Sequence, residues 1–322
     1  MPRRPARQQL WRALGWAPLP ALCAAPWILS SAYWTSVFIA ILFKTLLASA
    51  VRLNHLMGFV SLGQVGFMLV GAYTSALLSM KLQVSPWLGL VGAGAAAFAL
   101  AFVLGYTFLR VKGIYFIVLT FLTAETLRLA AGYAQPLTGG PNGLAQIPTL
   151  APALEDPAAY YPFLLAVTVA ITVLLLRLER SRLGFYWRAL AESEPLCAAA
   201  GMNTTLVKTV NFAISAAVAG LAGALWAHYE TVITPSFTSA FGAASSIFLL
   251  VYLYAGGVDH FLGPAVGASA LVLIGEIARV REEYVPIVVG AVLIAVVLLL
   301  PDGIAGGLAR ARAWVKVRVG AA

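Results

Sequence analysis

Long apolar stretches, each near the length of a membrane-crossing helix, follow one another through this sequence with little between them, and no other feature limits the fold so tightly. A helix crossing about 30 Å of hydrocarbon needs roughly 20 mainly apolar residues. Ten segments approach that length: approximately 17–31, 34–51, 57–80, 86–109, 113–131, 159–177, 209–228, 243–258, 262–278 and 284–300. The first is short and proline-rich, and 57–80 is interrupted by Gly58, Gly63, Gly66 and Gly71. In lipid the backbone must satisfy its own polar groups, which runs of this length do as helices. The expected fold is an all-α polytopic membrane bundle of about ten (8–10) transmembrane helices. The basic, then apolar, start could be read as a signal peptide, but further spans follow immediately, and a first, short membrane segment is the better reading.

Only 10% of the residues are charged, against roughly 25% in a soluble domain. Cys23 and Cys197 lie far apart in sequence, as do His55, His228 and His260, so no disulfide framework, metal site or cofactor is expected. Lys and Arg number 21 against 12 Asp and Glu. In a membrane chain that excess reports orientation and contact with an anionic bilayer before nucleic acid, which is not an expected partner. With ten spans, sixteen of the 21 basic residues fall on one side, three on the other (Lys81, Arg279, Arg281) and two within spans (Lys44, Arg128). The positive-inside rule then puts both termini in the cytoplasm. The layout is a basic cytoplasmic segment 1–16, a membrane domain 17–308 and a basic cytoplasmic tail 309–322. Loop 132–159 has no Lys or Arg and falls outside; residues 178–208 fall inside.

Small residues recur within the spans, as in VGAGAAAFALAFVLG (91–105) and AISAAVAGLAGALWA (213–227). Close backbone approach is what packs helices in lipid, and helices of this kind can also line a moving pathway. Charges in a bilayer cost a few kcal/mol each and face protein or water. Lys44, Arg52, Glu125, Arg128, Glu230 and Glu276 are the candidates. Glu125 and Arg128 share a helix face and can neutralise each other. Lys44 needs a partner that the sequence does not name. No chain of paired acids, phosphate-binding loop or enzyme constellation occurs, so ATP-powered transport would need another subunit to bind the nucleotide.

One polar, charged stretch interrupts the second half: SRLGFYWRALAESEPLCAAAGMNTTLVK, 181–208. Pro195 suits a helix start and disrupts an interior. Two short helices are expected, about 182–192 led by Ser181 and 194–200 ended by Gly201. Phe185, Tyr186 and Trp187 beside charges make a membrane-surface element, lying on headgroups or inserted into a partner.

This stretch resembles the cytoplasmic loop S-x-x-G-R-x-x-x-A-I-R-E-x-E-x-x-A-x-x-x-G-I-N of the M-type permeases in the branched-chain amino acid (LIV, or hydrophobic amino acid uptake) family of ABC transporters. Phe185 and Ala191 stand where that pattern commonly has arginine. NHLMGFVSLGQVGFMLVGAYTSALL (54–78), VKGIYFIVLTFLTAETLRL (111–129), LTGGPNGL (137–144), ISAAVAGLAGALWAHYETVITPSFT (214–238), YAGGVDHFLGPAVGA (254–268) and LLLPDGIAGGL (298–308) are similar to further stretches of the family. The resemblance implies an importer permease without enzymatic activity of its own. Its partners would be a second permease subunit, two ABC ATPase subunits and a periplasmic or extracellular solute-binding protein. Carried over, Arg188, Glu192, Glu194, Ala198 and Gly201 form the ATPase-coupling loop, with the carboxylates meeting basic groups on the ATPase. Candidates for the pathway or its gate are Ser61, Gly63, Gln64, Gly66, Tyr73, Thr120, Glu125, Thr138, Gly139 and Gly140. The LTGGPNG turn could dock a partner or merely close the span. The solute implied is a branched-chain or other hydrophobic amino acid, with urea, short amides or aromatic acids as same-family alternatives. A transporter working without ATP is the reading from another class.

Overall fold

The computed structural model describes residues 31–237, 239–278, 290 and 303–307. Among these the chain is helical, with one isolated antiparallel bridge, Leu144 to Ile233. The helices are α1 (Ala32–His55), α2 (Gln64–Lys81), α3 (Pro86–Phe108), α4 (Ile114–Tyr133), the short α5 (Gln135–Thr138), α6 (Pro157–Arg180), α7 (Arg182–Glu192), α8 (Glu194–Ala199), α9 (Thr204–Glu230), α10 (Ala243–Gly256) and α11 (Gly263–Ala278). The spans expected at 17–31 and 284–300 lie, but for Ser31 and Gly290, outside the described residues, as do the mixed-charge turn 279–283 and both basic termini.

Among the described residues five helices are long and apolar enough to cross a bilayer: α1, α3, α4, α6 and α9. Among them α1 and α9 are mostly buried in protein, whereas α3, α4 and α6 expose most of their surface. Helices α2, α3 and α1 pack around α9, α6 and α11 pack on α1, and α4 leans on α2.

Local chemistry sets the boundaries. Asp156 caps α6 by accepting the Ala158 N–H at 3.0 Å, with Pro157 at the first position. Asn203 caps α9 through the Leu206 N–H at 3.0 Å. A cap satisfies one of the donors that a helix start leaves free. The expected span 57–80 is corrected: α1 runs on to His55, residues 56–63 are not helical, and α2 starts only at Gln64. Its apolar run is continuous, but Gly58 takes φ +77° and the Phe59 N–H turns back to the Asn54 carbonyl, which ends the helix. Lys44 places its Nζ 5.7 Å over the Tyr252 ring, a partner invisible to the sequence.

The small-residue stretch of α9 is packing surface. Ala213, Ala216, Ala219, Ala222 and Ala227 are fully buried. Gly223 lies against the Met68 carbonyl of α2, Gly71 of α2 against Gly220, and Gly94 of α3 against Leu221. Without side chains between them, the α2 and α9 backbones touch, which is the arrangement that holds helices together where no hydrophobic force acts.

Candidate functional site

Helices α7 and α8 form an elbow between α6 and α9. Ser181 leads it, accepting the Leu183 N–H at 3.2 Å. At its far end the Met202 N–H reaches the Cys197 carbonyl and the Gly201 N–H that of Ala198, with Gly201 at φ +82°. That pair of bonds is a Schellman stop, which favours glycine at this position. The inner face of α7 is fixed by Trp187, fully buried in a cluster with Leu53, Met57 and Leu175. Gly184 lies on the Glu179 backbone, where any side chain would collide. The outer face presents Phe185, Glu192, Pro195, Leu196, Ala198 and Gly201 to the surroundings.

Two ionic tethers tie this elbow to the bundle. On α7, Arg188 hydrogen-bonds the Glu179 carbonyl at 3.0 Å and faces its carboxylate at 3.8 Å. Glu179 in turn takes two bonds from the buried guanidinium of Arg52, at 2.9 and 3.3 Å. The Arg52 Nε donates to the Val258 carbonyl at 3.1 Å and its guanidinium stacks 5.3 Å from the Phe261 ring. This chain of contacts joins α7, α6, α1 and the α10–α11 turn. On α8, Glu194 pairs with Lys208 at 2.5 Å and with Lys112 at 2.9 Å. Lys208 is buried, also donates to the Leu109 carbonyl at 3.3 Å and sits 5.3 Å over the Phe59 ring.

The two carboxylates of the elbow, both expected to face a partner, therefore differ in their surroundings. Glu194 is matched within the chain. Glu192 is exposed, with no hydrogen bond or ion pair among the described residues. Partial burial pushes the Glu194 carboxyl up, but the Lys208 and Lys112 ammonium groups outweigh it and hold it below the usual carboxylate range. A lowered carboxyl stabilises fully above its unfolded value, near pH 4.5, and the contribution is lost as pH falls through the lower folded value. Lys208→Met leaves Glu194 only the exposed Lys112. It is expected to destabilise the protein by about 2 kcal/mol, less than a fully buried pair because Glu194 is partly solvated. Thermal unfolding of Lys208→Met, Glu194→Gln and the double variant checks this, with coupling expected between the two sites and strict additivity counting against the pair.

Behind the elbow lies the break between α1 and α2. The Ala191 backbone of α7 lies next to Gly58, at 3.7 Å from where a Cβ there would sit. Four sequence candidates meet at the break. The Ser61 hydroxyl accepts the Gly63 N–H at 3.2 Å, and Thr120 of α4 accepts the Leu62 N–H at 3.2 Å. Gln64 Nε2 donates to the Ser215 hydroxyl at 2.9 Å, which donates to the Ala50 carbonyl at 2.6 Å. Gly66, one turn on, lies against the Ala124 backbone of α4. Asn211, one turn from Ser215, donates to the Leu53 carbonyl at 3.1 Å. Tyr73 is buried farther along α2 with its hydroxyl unpartnered.

The remaining candidates sit elsewhere. Glu125 and Arg128 form the expected pair at 2.8 Å, and Arg128 also reaches the Pro235 carbonyl at 3.0 Å. Thr138 donates to the Ala131 and Ala134 carbonyls, and Gly139 and Gly140 turn the chain with positive φ. They belong to the 132–159 loop, which is strapped to the end of α9 by the Leu144–Ile233 bridge and by His228, whose ring bonds the Pro148 carbonyl at 2.6 Å and the Ser75 hydroxyl at 2.7 Å. The loop and the elbow thus cap opposite ends of α9.

Sequence reasoning missed Glu179, Asn54, Asn211 and Ser215. The signals were present: a carboxylate amid Arg177, Arg180 and Arg182, and an Asn and a Ser four apart in an otherwise apolar helix. Among the described residues no three His, Cys, Asp or Glu side chains gather as metal ligands would.

A family model described as branched-chain amino acid transport system / permease component matches residues 31–297. The high-affinity branched-chain amino acid transport system permease protein LivM of Escherichia coli K12 is 32% identical over 295 residues, covering 83% of this chain and 68% of that protein. LivM of Salmonella typhimurium gives the same figures. The permease protein LivH of Escherichia coli K12 is 33% identical over 140 residues, 43% of this chain and 44% of that protein. No solved structure matches the chain. With its apolar helices, the match over nearly the whole described bundle makes this a multi-pass membrane protein, and the chain belongs to the family of branched-chain amino acid transport system permease components.

Proposed function

We propose that the chain is the membrane-spanning permease subunit of an ATP-binding-cassette importer for branched-chain or other hydrophobic amino acids. It pairs with a second permease subunit, receives solute from a soluble binding protein at its outer face and is driven by two ATPase subunits at its inner face. The observation that carries this reading is the elbow: an exposed apolar and acidic face, Phe185, Glu192 and Leu196, on a helix pair anchored by Trp187 and two ionic tethers. A surface so anchored transmits a push to the bundle instead of yielding to it. ATPase closure would favour one of two packings of the helices, and the tethers would carry that bias to α1, α6, α9 and the α10–α11 turn.

The test is reconstitution in liposomes. Uptake of a branched-chain amino acid is expected only with both permeases, the ATPases, ATP and the binding protein, and uptake by the purified chain alone overturns the proposal. The accompanying topology has about ten (8–10) spans in the cell membrane with both termini in the cytoplasm, and membrane domain 17–308 lies between the basic segments 1–16 and 309–322. A cysteine at Asn142 is expected to react with an impermeant thiol reagent from outside intact cells and one at Ser193 only after permeabilisation. The reverse pattern would invert the orientation.

A further inference from the structure

The break between α1 and α2 sets a helix N-terminus inside the bundle. Gln64, the first residue of α2, is bonded to Ser215, eleven residues into the 27-residue α9, so at 1.5 Å per residue it lies about 16 Å from the start of α9. The four leading N–H groups of a helix have no partner within it, and the aligned peptide dipoles make that end a site for negative charge. Here the Gly66 and Phe67 N–H groups turn back to the Gly63 carbonyl. Among the described residues no group accepts from the N–H of Gln64 or Val65, although both residues are buried.

A second observation points to a ligand with the opposite charge at its other end. Among the described residues Gln64 Oε1 and Asn211 Oδ1 have no hydrogen-bond partner, and both residues are fully buried. Their amide nitrogens are engaged, with Ser215 and with the Leu53 carbonyl, so each presents a bare carbonyl oxygen. Asn211 and Ser215 are four residues apart on one face of α9, so Asn211 lies one helical turn from the hydroxyl that Gln64 touches. Asn54, at the end of α1, is also buried with both side-chain polar atoms unpartnered. Buried polar atoms are nearly always paired, and a group of exceptions at one junction calls for an explanation.

We infer that this junction of α1, α2 and α9 is a transit site for the head group of an α-amino acid, the carboxylate received by the Gln64 and Val65 N–H groups and the ammonium by Gln64 Oε1 and Asn211 Oδ1. The inference rests on the amino-acid importer reading above. The four groups named here are uncharged, which suits a solute of zero net charge whose two charges are met by oriented dipoles. Urea or a short amide has no anion for the helix end, and a hydroxy acid has no ammonium for the oxygens. The junction is packed closed here, and the elbow lies against it. The same break touches Ala191 through Gly58, and Phe59 lies under Lys208, the residue that holds Glu194.

The test uses the complete reconstituted transporter with Cys23 and Cys197 replaced by alanine and one cysteine introduced as Leu62→Cys, a partly exposed position beside the site. Its labelling by a small thiol reagent during ATP turnover is expected to be slowed by an aliphatic L-amino acid. The amine lacking its carboxylate and the hydroxy acid lacking its ammonium are expected to need at least tenfold higher concentration. Gln64→Leu in that background is expected to raise the half-protecting amino-acid concentration tenfold or more, and Gln64→Asn, which keeps a carbonyl oxygen, by less. A transporter that takes up amino acids yet shows equal protection by all three solutes, or protection unchanged by Gln64→Leu, overturns the site and leaves the importer standing. One that takes up no amino acid overturns both.

Discussion

Replacing Glu192 by arginine is expected to lower ATP-driven uptake at least tenfold while the bundle stays folded. Glu192 ends α7 on its exposed face and has no bond to lose among the described residues. The inward side of the same helix is held by Trp187 and Arg188. Like charges brought together across an interface cost several kcal/mol, and each 1.4 kcal/mol is tenfold in affinity. The reversal therefore acts on partner binding alone. Co-purification of the ATPases and uptake in proteoliposomes are the readouts. Glu155→Arg, on the opposite end of the bundle, serves as the control and is expected to leave co-purification of the ATPases unchanged. Normal assembly with unchanged uptake in Glu192→Arg would remove the coupling role.

The elbow was legible because its punctuation is local. Ser181, Pro195 and Gly201 act on their own backbone within a few residues, and the helices start and stop within a residue of where those signals place them. The same holds for Glu125 and Arg128, three apart on one helix. Division of labour between the two carboxylates was not legible. Glu194 finds Lys208 and Lys112 only once α9 and the α3–α4 turn are packed, and in sequence it looks like Glu192. Arg52 likewise gives no hint of Glu179, 127 positions away. The break at 56–63 was legible only in part: Gly58 and Gly63 mark an interruption, but LMGFVSLGQVGFMLV is apolar enough to read as one span, and hydropathy does not register a backbone that reverses at Gly58. The candidate pathway residues near it came with the family resemblance of the stretch 54–78. Asn211 and Ser215, which complete the junction, lay inside what read as a plain packing helix.

That packing helix is where a single added side chain is expected to do most damage to the fold. Gly223 of α9 lies on the Met68 carbonyl of α2, and Gly71 of α2 lies on Gly220, so the two backbones meet without side chains between them. In Gly223→Val the new side chain runs into main chain, which has no rotamer to move aside, and the helices must separate along their length. Overpacking of this kind costs about 3 kcal/mol. The loss falls on the contact that positions the start of α2 against Ser215, so the elbow would lose the bundle it acts on. The expected result for the purified variant in detergent is a much lower unfolding temperature or aggregation on size-exclusion chromatography. Gly132→Ala, where an added Cβ meets nothing within 4 Å, is expected to match or slightly exceed the parent. A Gly223→Val protein that is monodisperse with an unchanged unfolding midpoint would mean that α2 and α9 do not approach this closely in the membrane, and the helix-end site at Gln64 would lose its geometric basis along with it.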